Sequence, residues 1–147
     1  MTQKEFLAQV DQTRIVDAIA AAEKETSGEI RVHIQPRTGS GEIRDVAERT
    51  FERLGMTKTQ LRNGVLLFIA SEDRQFTILG DSGIHDKVPA GFWDDVIAKL
   101  TSRFKAGEFS DGIVEAIEAA GEHLAAYFPR SDKDVDELSN EIDFSDE

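Results

Sequence analysis

Cysteine is absent from the 147-residue sequence, and this absence excludes disulfides, thiolate zinc sites, iron–sulfur clusters and cysteine nucleophiles. Long apolar runs are absent too. The longest, Val65–Ala70, is far shorter than the roughly 18 residues that a membrane-spanning helix needs. The first residues also lack the apolar core of a secretory signal peptide. We therefore expect a soluble cytoplasmic protein with no membrane span.

Basic residues are scarce relative to acids. The chain has 17 Lys and Arg against 29 Asp and Glu, which gives a formal net charge of −12. Sequence-independent nucleic-acid binding and attachment to anionic membranes both need clustered basic residues, so neither partner is expected. Divalent cations and basic proteins stay as candidate partners, and solubility alone is the simplest explanation of the charge.

The negative charge is concentrated at the C-terminus. Residues 131–147 carry eight acids and one lysine, a net of −7, whereas residues 1–130 carry −5. Pro129 ends the last predicted helix. We expect one folded domain over 1–130 and a flexible acidic tail over 131–147. Four apolar residues interrupt the tail and leave docking on the domain or on a partner open: Val135, Leu138, Ile142 and Phe144.

The apolar periodicity predicts alternating helices and strands. Helices are predicted over 11–26, 43–54, 89–105 and 111–127, and strands over 29–34, 63–70 and 75–79. In the first strand, Ile30, Val32 and Ile34 alternate with polar residues, which predicts one buried face and puts His33 on the exposed face.

The second strand is continuously apolar, which is typical of a central strand covered on both faces. The first two strands and the helix between them form a βαβ unit, so those strands should be parallel. The short turn before the third strand predicts an antiparallel hairpin. The sequence therefore predicts the α/β class: a three-layer α/β/α sandwich with a small mixed sheet.

Signatures of known catalytic machinery are mostly missing. There is no phosphate-binding loop, no dinucleotide fingerprint and no nucleophile elbow. Asp134-Val-Asp136 has the residue order of a paired-aspartate nucleophile motif. It lies in the acidic tail and does not follow a buried strand, so we expect no catalytic role for it. His33, His85 and His123 are far apart in the sequence, and only His85 follows a glycine-rich loop.

The predicted topology gathers oxygen donors at one edge of the sheet. Glu29 and Asn63 begin or precede the two parallel strands, and Asp81 follows the antiparallel one. Further acids come from the next loop and helix: Asp86, Asp94 and Asp95. Carboxylate and amide oxygens from loops suit Ca²⁺ or Mg²⁺. The alternative is that Glu29 and Asp81 pair with Arg62 or cap turns.

A second polar set lies at the opposite edge, at the hairpin. Glu72, Asp73 and Arg74 occupy the predicted turn, with the loop 37–42 nearby. A turn stabilised by a salt bridge is the interpretation we favour here.

Five segments in order, covering about residues 10–128, resemble the TPM domain. They are Thr26-Ser-Gly-Glu-Ile30, Arg62-Asn-Gly-Val-Leu-Leu67, Glu72-Asp-Arg74, Gly80-Asp-Ser-Gly-Ile84 and Phe104-Lys-Ala-Gly107 followed by Gly112. The resemblance is greatest to short bacterial members without export signals. It implies an α/β/α sandwich, divalent cation binding (often calcium) in some members, and weak acid phosphatase activity proposed for a plant member.

By this resemblance Glu29, Asp81 and Asp94 are the metal-side acids, and the topology adds Asn63 to the ligand set. The family often has an acid near the position of His85. Two functions follow as hypotheses. One is a Ca²⁺- or Mg²⁺-binding domain that acts in protein interaction or regulation. The other is a weak metal-dependent acid phosphatase, for which the sequence identifies no catalytic nucleophile.

Overall fold

The computed structural model describes residues 1–130 and 137–145 and has six α-helices around a four-stranded sheet. The helices are α1 Gln3–Ala8, α2 Gln12–Glu23, α3 Ile43–Arg53, α4 Ser82–His85, α5 Asp94–Lys105 and α6 Phe109–Ala125. The strands are β1 Glu29–Gln35, β2 Gly64–Ala70, β3 Gln75–Gly80 and β4 Asp143–Phe144. A short 3₁₀ turn, Met56–Lys58, precedes β2.

The strand order is β3-β2-β1-β4. β1 is parallel to β2, with Glu29 opposite Gly64, and β2 and β3 form an antiparallel hairpin. Both predicted pairings are confirmed. The fourth strand is not predicted by the sequence pattern: Asp143–Phe144 pairs in parallel with the outer edge of β1. Two residues within an acidic segment are too short a stretch for a periodicity to show.

Helices cover both faces of the sheet, so the predicted three-layer sandwich is confirmed. Alternate residues of β1 and β2, such as Val32 and Leu67, pack with α2, α5 and α6 in the larger apolar core. The other residues of β2, among them Phe68, pack against α3 and Met56 in a smaller one. All seven residues of β2 are buried, because each face of that strand meets a helix layer.

The segment from the end of β3 to the start of α5 differs from the prediction in two respects. α5 begins at Asp94, not near residue 89, because Gly91 has φ +77° and interrupts the helical backbone. The four-residue helix α4 is an addition to the predicted elements; Asp81 caps it by accepting a hydrogen bond from the Ser82 amide.

Residues 137–145 of the tail lie against the domain. Ile142 is buried in the larger core, and β4 extends the sheet. Docking on the domain, one of the two alternatives for the tail, is therefore the position seen here. The expected mobility of the tail stays a prediction. Asp134-Val-Asp136 lies outside the described residues, as do the other residues of 131–136 and 146–147.

Candidate functional site

The topology brings three of the predicted ligands to one edge of the sheet. The Glu29 amide donates to the Asn63 carbonyl at 3.3 Å, and the Asp81 amide donates to the Gly64 carbonyl at 3.0 Å. Glu29, Asn63 and Asp81 are all buried. Asp94, the fourth predicted ligand, is exposed in the first turn of α5. It lines a surface cleft with His85.

Asp81 is held by cationic and backbone partners. Arg62 donates to its two carboxylate oxygens through Nε and Nη2, each at 2.8 Å, and the Ser82 amide donates at 2.7 Å. The hydrogen bond with Asp81 raises the pKa of the Arg62 guanidinium. Gly83 donates its amide to the Arg62 carbonyl at 2.8 Å. This geometry matches the alternative in which Asp81 pairs with Arg62 and caps a turn.

Glu29 anchors the tail. Its Oε1 accepts hydrogen bonds from the backbone amides of Glu137 and Leu138, both at 2.6 Å. Asn63 lies beside it and donates from Nδ2 to Ser27 Oγ at 3.3 Å. The acid that the sequence assigns to a metal therefore binds the chain's own backbone here.

The predicted ligands suit a hard cation by donor type, since they offer carboxylate and amide oxygens. Their arrangement does not form a ready site. The Glu29 and Asp81 carboxylates already accept N–H donors, and Asp94 is exposed apart from them. Across residues 1–130 and 137–145, no three or more His, Asp or Glu side chains converge as metal ligands.

His33 is fully buried, so its predicted place on an exposed face is wrong. Its Nδ1 lies 2.6 Å from Asp143 Oδ2, its Nε2 lies 2.8 Å from Gln35 Oε1, and its ring stacks on Phe68. The prediction failed because, on the face of β1 that carries His33, the imidazole is covered by Phe68 of β2 and by Asp143 of the tail. No pattern in the sequence indicates that the tail adds a strand to β1.

Asp143 sits in a niche formed by two nitrogen-bearing side chains. Arg53 Nη2 donates to Asp143 Oδ2 at 2.9 Å, beside the contact with His33. Desolvation by burial opposes ionisation, but the hydrogen bonds from Arg53 and His33 outweigh it and lower the pKa of Asp143. The niche therefore favours a charged carboxylate at this position of the bound strand.

Further polar contacts hold the end of the tail. The Ser145 amide donates to the Ile34 carbonyl at 3.0 Å, and Gln3 Nε2 donates to the Ser145 carbonyl at 2.8 Å. We call the surface formed by β1 and the side chains of Gln3, Glu29, His33 and Arg53 the tail-binding edge. It contacts the tail from Glu137 to Ser145.

The hairpin turn at the opposite end of the sheet is a salt-bridged turn. Arg37 Nη1 donates to Glu72 Oε1 at 2.8 Å, and the Thr38 amide donates to Asp73 Oδ2 at 2.7 Å. Arg74 adopts φ +55°. The Arg37–Glu72 salt bridge joins the hairpin turn to the loop after β1. A salt-bridged turn is the interpretation that the sequence favours for these residues, and the cation of the bridge is Arg37.

Comparison with known families agrees with this architecture. A family model described as the TPM domain matches residues 1–123. The chain belongs to the TPM-domain family. The resemblance read from the five segments is thereby confirmed. No protein of curated function matches the sequence.

Solved structures also resemble this TPM domain. The NMR structure of the BA42 protein from the psychrophilic bacterium Bizionia argentinensis is 47% identical, covers 91% of this chain and 92% of its own, and superposes with a TM-score of 0.86. The N-terminal domain of a P. gingivalis protein is 19% identical, covers 76% of this chain and 72% of its own, and has a TM-score of 0.63.

The N-terminal domain of the cg2496 protein of Corynebacterium glutamicum is 15% identical, covers 81% of this chain and 74% of its own, and has a TM-score of 0.61. At these identities the last two structures show the shared fold alone. Within residues 1–130 and 137–145 of this chain, no helix has the length and hydropathy needed to cross a membrane.

Proposed function

We propose that this TPM domain is a protein-interaction module that binds an extended segment along the tail-binding edge. In this structure its own acidic tail occupies that edge. The observation that carries the proposal is the niche for Asp143, where His33 and Arg53 meet one carboxylate of the docked strand. A half-buried niche that pairs with one acidic side chain gives strand addition its sequence selectivity.

The backbone contacts support the same function. Glu29 accepts two tail amides at one end of β1, and Ile34 accepts the Ser145 amide at the other. In strand addition, main-chain hydrogen bonds supply affinity and side-chain niches supply specificity. A partner with an acid between two apolar residues, as in Ile142-Asp143-Phe144, fits the edge.

A divalent cation is the proposed regulator of this edge. Ca²⁺ or Mg²⁺ is expected to draw on oxygens of Glu29, Asn63, Asp81 and Asp94, and it would compete with the tail amides for Glu29. Support comes from the carboxylate and amide oxygens of these residues, which suit a hard cation. It also comes from the position of Glu29, whose carboxylate accepts the tail amides, so that a cation bound there would displace the tail. The oxygen donors favour Ca²⁺ over Zn²⁺.

Thermal melts in chelator and in millimolar Ca²⁺ or Mg²⁺ test the cation. A cation that binds only the folded chain increases the free energy of unfolding by mass action, by about 2.7 kcal/mol at a hundredfold excess over Kd. The melting temperature should rise accordingly. Asp81→Asn should reduce the rise while leaving the fold intact. Identical melts with and without the cation, together with no binding heat by calorimetry, would rule out the cation.

Weak acid phosphatase activity is the weaker hypothesis. Arg62, which lies beside the predicted ligand Asp81, already donates to both oxygens of that carboxylate and is not free to bind a phosphate. The net charge of −5 on residues 1–130 also disfavours an anionic substrate. We therefore expect no turnover of an aryl phosphate with Mg²⁺ or Ca²⁺. Turnover that disappears in a Glu29→Ala, Asp81→Ala double variant would reverse this ranking.

Binding in trans tests the interaction function. Ile142→Asp in the full-length chain should undock the tail, since Ile142 is buried in the core. A fluorescent peptide of residues 137–147 should then bind this variant more tightly than the wild type, whose own tail competes. The Asp143→Asn peptide is the matched control and should bind at least about tenfold more weakly.

If neither chain binds the peptide while Ile142→Asp melts at a lower temperature than the wild type, the tail is an integral strand and the proposal is wrong. Equal binding of the Asp143→Asn peptide would also contradict it, because the niche would then confer no selectivity.

A further inference from the structure

A cavity of about 490 Å³ lies at the carboxyl end of β2 and shares no lining residue with the tail-binding edge. Its apolar wall is largely aromatic. Phe6 lies 4.8 Å from Phe109 between ring centroids, Phe104 lies 5.3 Å from Phe109, and Phe76 lies 5.9 Å from Phe104. We call this cavity the aromatic pocket. Its volume falls in the range of small-molecule sites.

The charged residues that line the aromatic pocket are cations. They are Arg74 and Lys105, both exposed, and none of the described lining residues is Asp or Glu. Among the described residues, neither cation forms a salt bridge. A pair of unneutralised cations at an apolar cavity contrasts with the chain's net charge of −12.

The acids nearest to these cations in the sequence are committed elsewhere. Glu72 accepts from Arg37 and from the Gln3 amide, and Asp73 accepts from the Thr38 amide. On the other side, Glu108 pairs with Arg103 at 3.0 Å. The positive charge of Arg74 and Lys105 is therefore available to a ligand.

Arg74 also holds an unfavourable backbone conformation. Its φ of +55° lies in the left-handed region, which costs a non-glycine residue roughly 1 kcal/mol. Glycine would occupy this turn position at lower conformational cost. The Arg74 side chain is exposed at this turn and lines the aromatic pocket.

We propose that the aromatic pocket binds an amphiphilic monocarboxylate, with its apolar body against the phenylalanine rings and its carboxylate at Arg74 and Lys105. The aromatic wall supplies the apolar surface to bury, and the guanidinium supplies a planar donor pair for a carboxylate. The carboxyl end of the strands is also where open α/β sheets place their ligands. This binding site is independent of the tail-binding edge.

Decanoate is the probe, titrated into the full-length protein and followed by amide chemical shifts. Saturable shifts are expected in residues 69–76 and 101–109, which border the pocket. Decanol, which keeps the chain and lacks the charge, and acetate, which keeps the charge and lacks the chain, should each bind at least about tenfold more weakly.

Two variants locate the site. Arg74→Gln with Lys105→Gln should weaken decanoate binding by about tenfold or more, whereas Lys58→Gln, a cation before β2, should leave it unchanged. Thr101→Trp keeps both charges and should block binding by filling the cavity.

Three results would overturn the proposal: no saturable binding of decanoate, shifts that lie outside the pocket, or decanol binding as tightly as decanoate. The chemical-shift changes are measured on the wild-type protein, so a variant that fails to fold does not affect the conclusion.

Discussion

The two ends of the parallel strands hold polar side chains in opposite states. At the amino end, Asp81 is neutralised by Arg62 and Glu29 binds tail amides. At the carboxyl end, Arg74 and Lys105 line an open aromatic pocket without a salt bridge among the described residues. The acids that the sequence analysis assigns to a metal thus stabilise the chain. The groups left available are Arg74 and Lys105, which lie in two of the five segments that resemble the TPM domain.

The difference follows from where the chain returns. At the amino end three segments meet: the loop before β2, the loop after β3 and the start of the described tail, Glu137 and Leu138. Their backbone amides and Arg62 need acceptors, which the buried acids provide. At the carboxyl end, the turn after β2, the end of α5 and the start of α6 line a cavity whose apolar wall is largely phenylalanine. Among the described residues, no segment fills this cavity, so it has room for a ligand.

Gly83→Ala should have the largest effect and would test how tightly the amino end is packed. A Cβ at this position would lie 2.2 Å from the Leu61 carbonyl oxygen, so backbone has to move. We expect a loss of about 3 kcal/mol or more, or about 10 °C in melting temperature.

Gly39→Ala is the control for Gly83→Ala. Gly39 has φ +77°, but no atom lies within 4 Å of the place that a Cβ would take. The substitution should therefore cost about 1 kcal/mol from backbone conformation alone. Equal melting temperatures for the two variants would show that the loops at the amino end are loosely packed.

Deletion of residues 131–147 should have the next largest effect. The domain should stay folded with a cooperative transition, because the helices cover both faces of the sheet without the tail. Loss of the apolar contacts of Leu138 and Ile142 and of the partners of Glu29 should lower the melting temperature by about 5–10 °C. An unchanged melting temperature would mean that the docked tail contributes nothing in solution.

Acidification should release the tail in a way that Asp143→Asn abolishes. The folded pKa of Asp143 is lowered, so its ionised form contributes stability that is present above its ordinary pKa of 3.8 and is lost as the pH falls through the folded value. The gap in melting temperature between wild type and Asp143→Asn should therefore be full at about pH 7 and should close below about pH 4. A difference in melting temperature that does not change with pH would show that Asp143 stabilises the tail by packing and not by its charge.

Arg74→Gly should have the smallest effect on stability, and of opposite sign. It removes a left-handed non-glycine residue, so the melting temperature should be equal or higher by about 2–4 °C, while decanoate binding weakens. A clear loss of stability would show that the Arg74 side chain supports the hairpin, and the contrast between the two ends would weaken.

The layers and the three long strands could be predicted from the sequence because their signals are local. The alternation in β1 correctly predicts burial of Ile30, Val32 and Ile34, and the continuous apolar run of β2 correctly predicts a strand buried on both faces. The shared edge of Glu29, Asn63 and Asp81 could be predicted too, since it follows from strand direction.

Other features depend on contacts between residues far apart in the chain. His33 is buried by Asp143, which lies 110 residues later, and no local pattern around His33 reports that contact. The aromatic pocket needs Phe6, Phe76 and Phe104 to converge from three elements, each of which is an ordinary apolar residue of its own element. Both features depend on contacts between distant segments of the chain, and hydrophobic periodicity reports only local structure.

Amide hydrogen exchange in the full-length protein tests the central claim, that the tail is a displaceable strand on a binding edge. The Ser145 amide bonds to Ile34, and the Leu138 amide bonds to Glu29, whereas the Leu67 amide lies in the centre of the sheet. We predict that Ser145 and Leu138 exchange through local opening, faster than Leu67 by about a hundredfold or more, yet slower than an unstructured chain. Exchange of all three amides at one common rate would contradict the claim, because the tail would then open only when the whole domain unfolds.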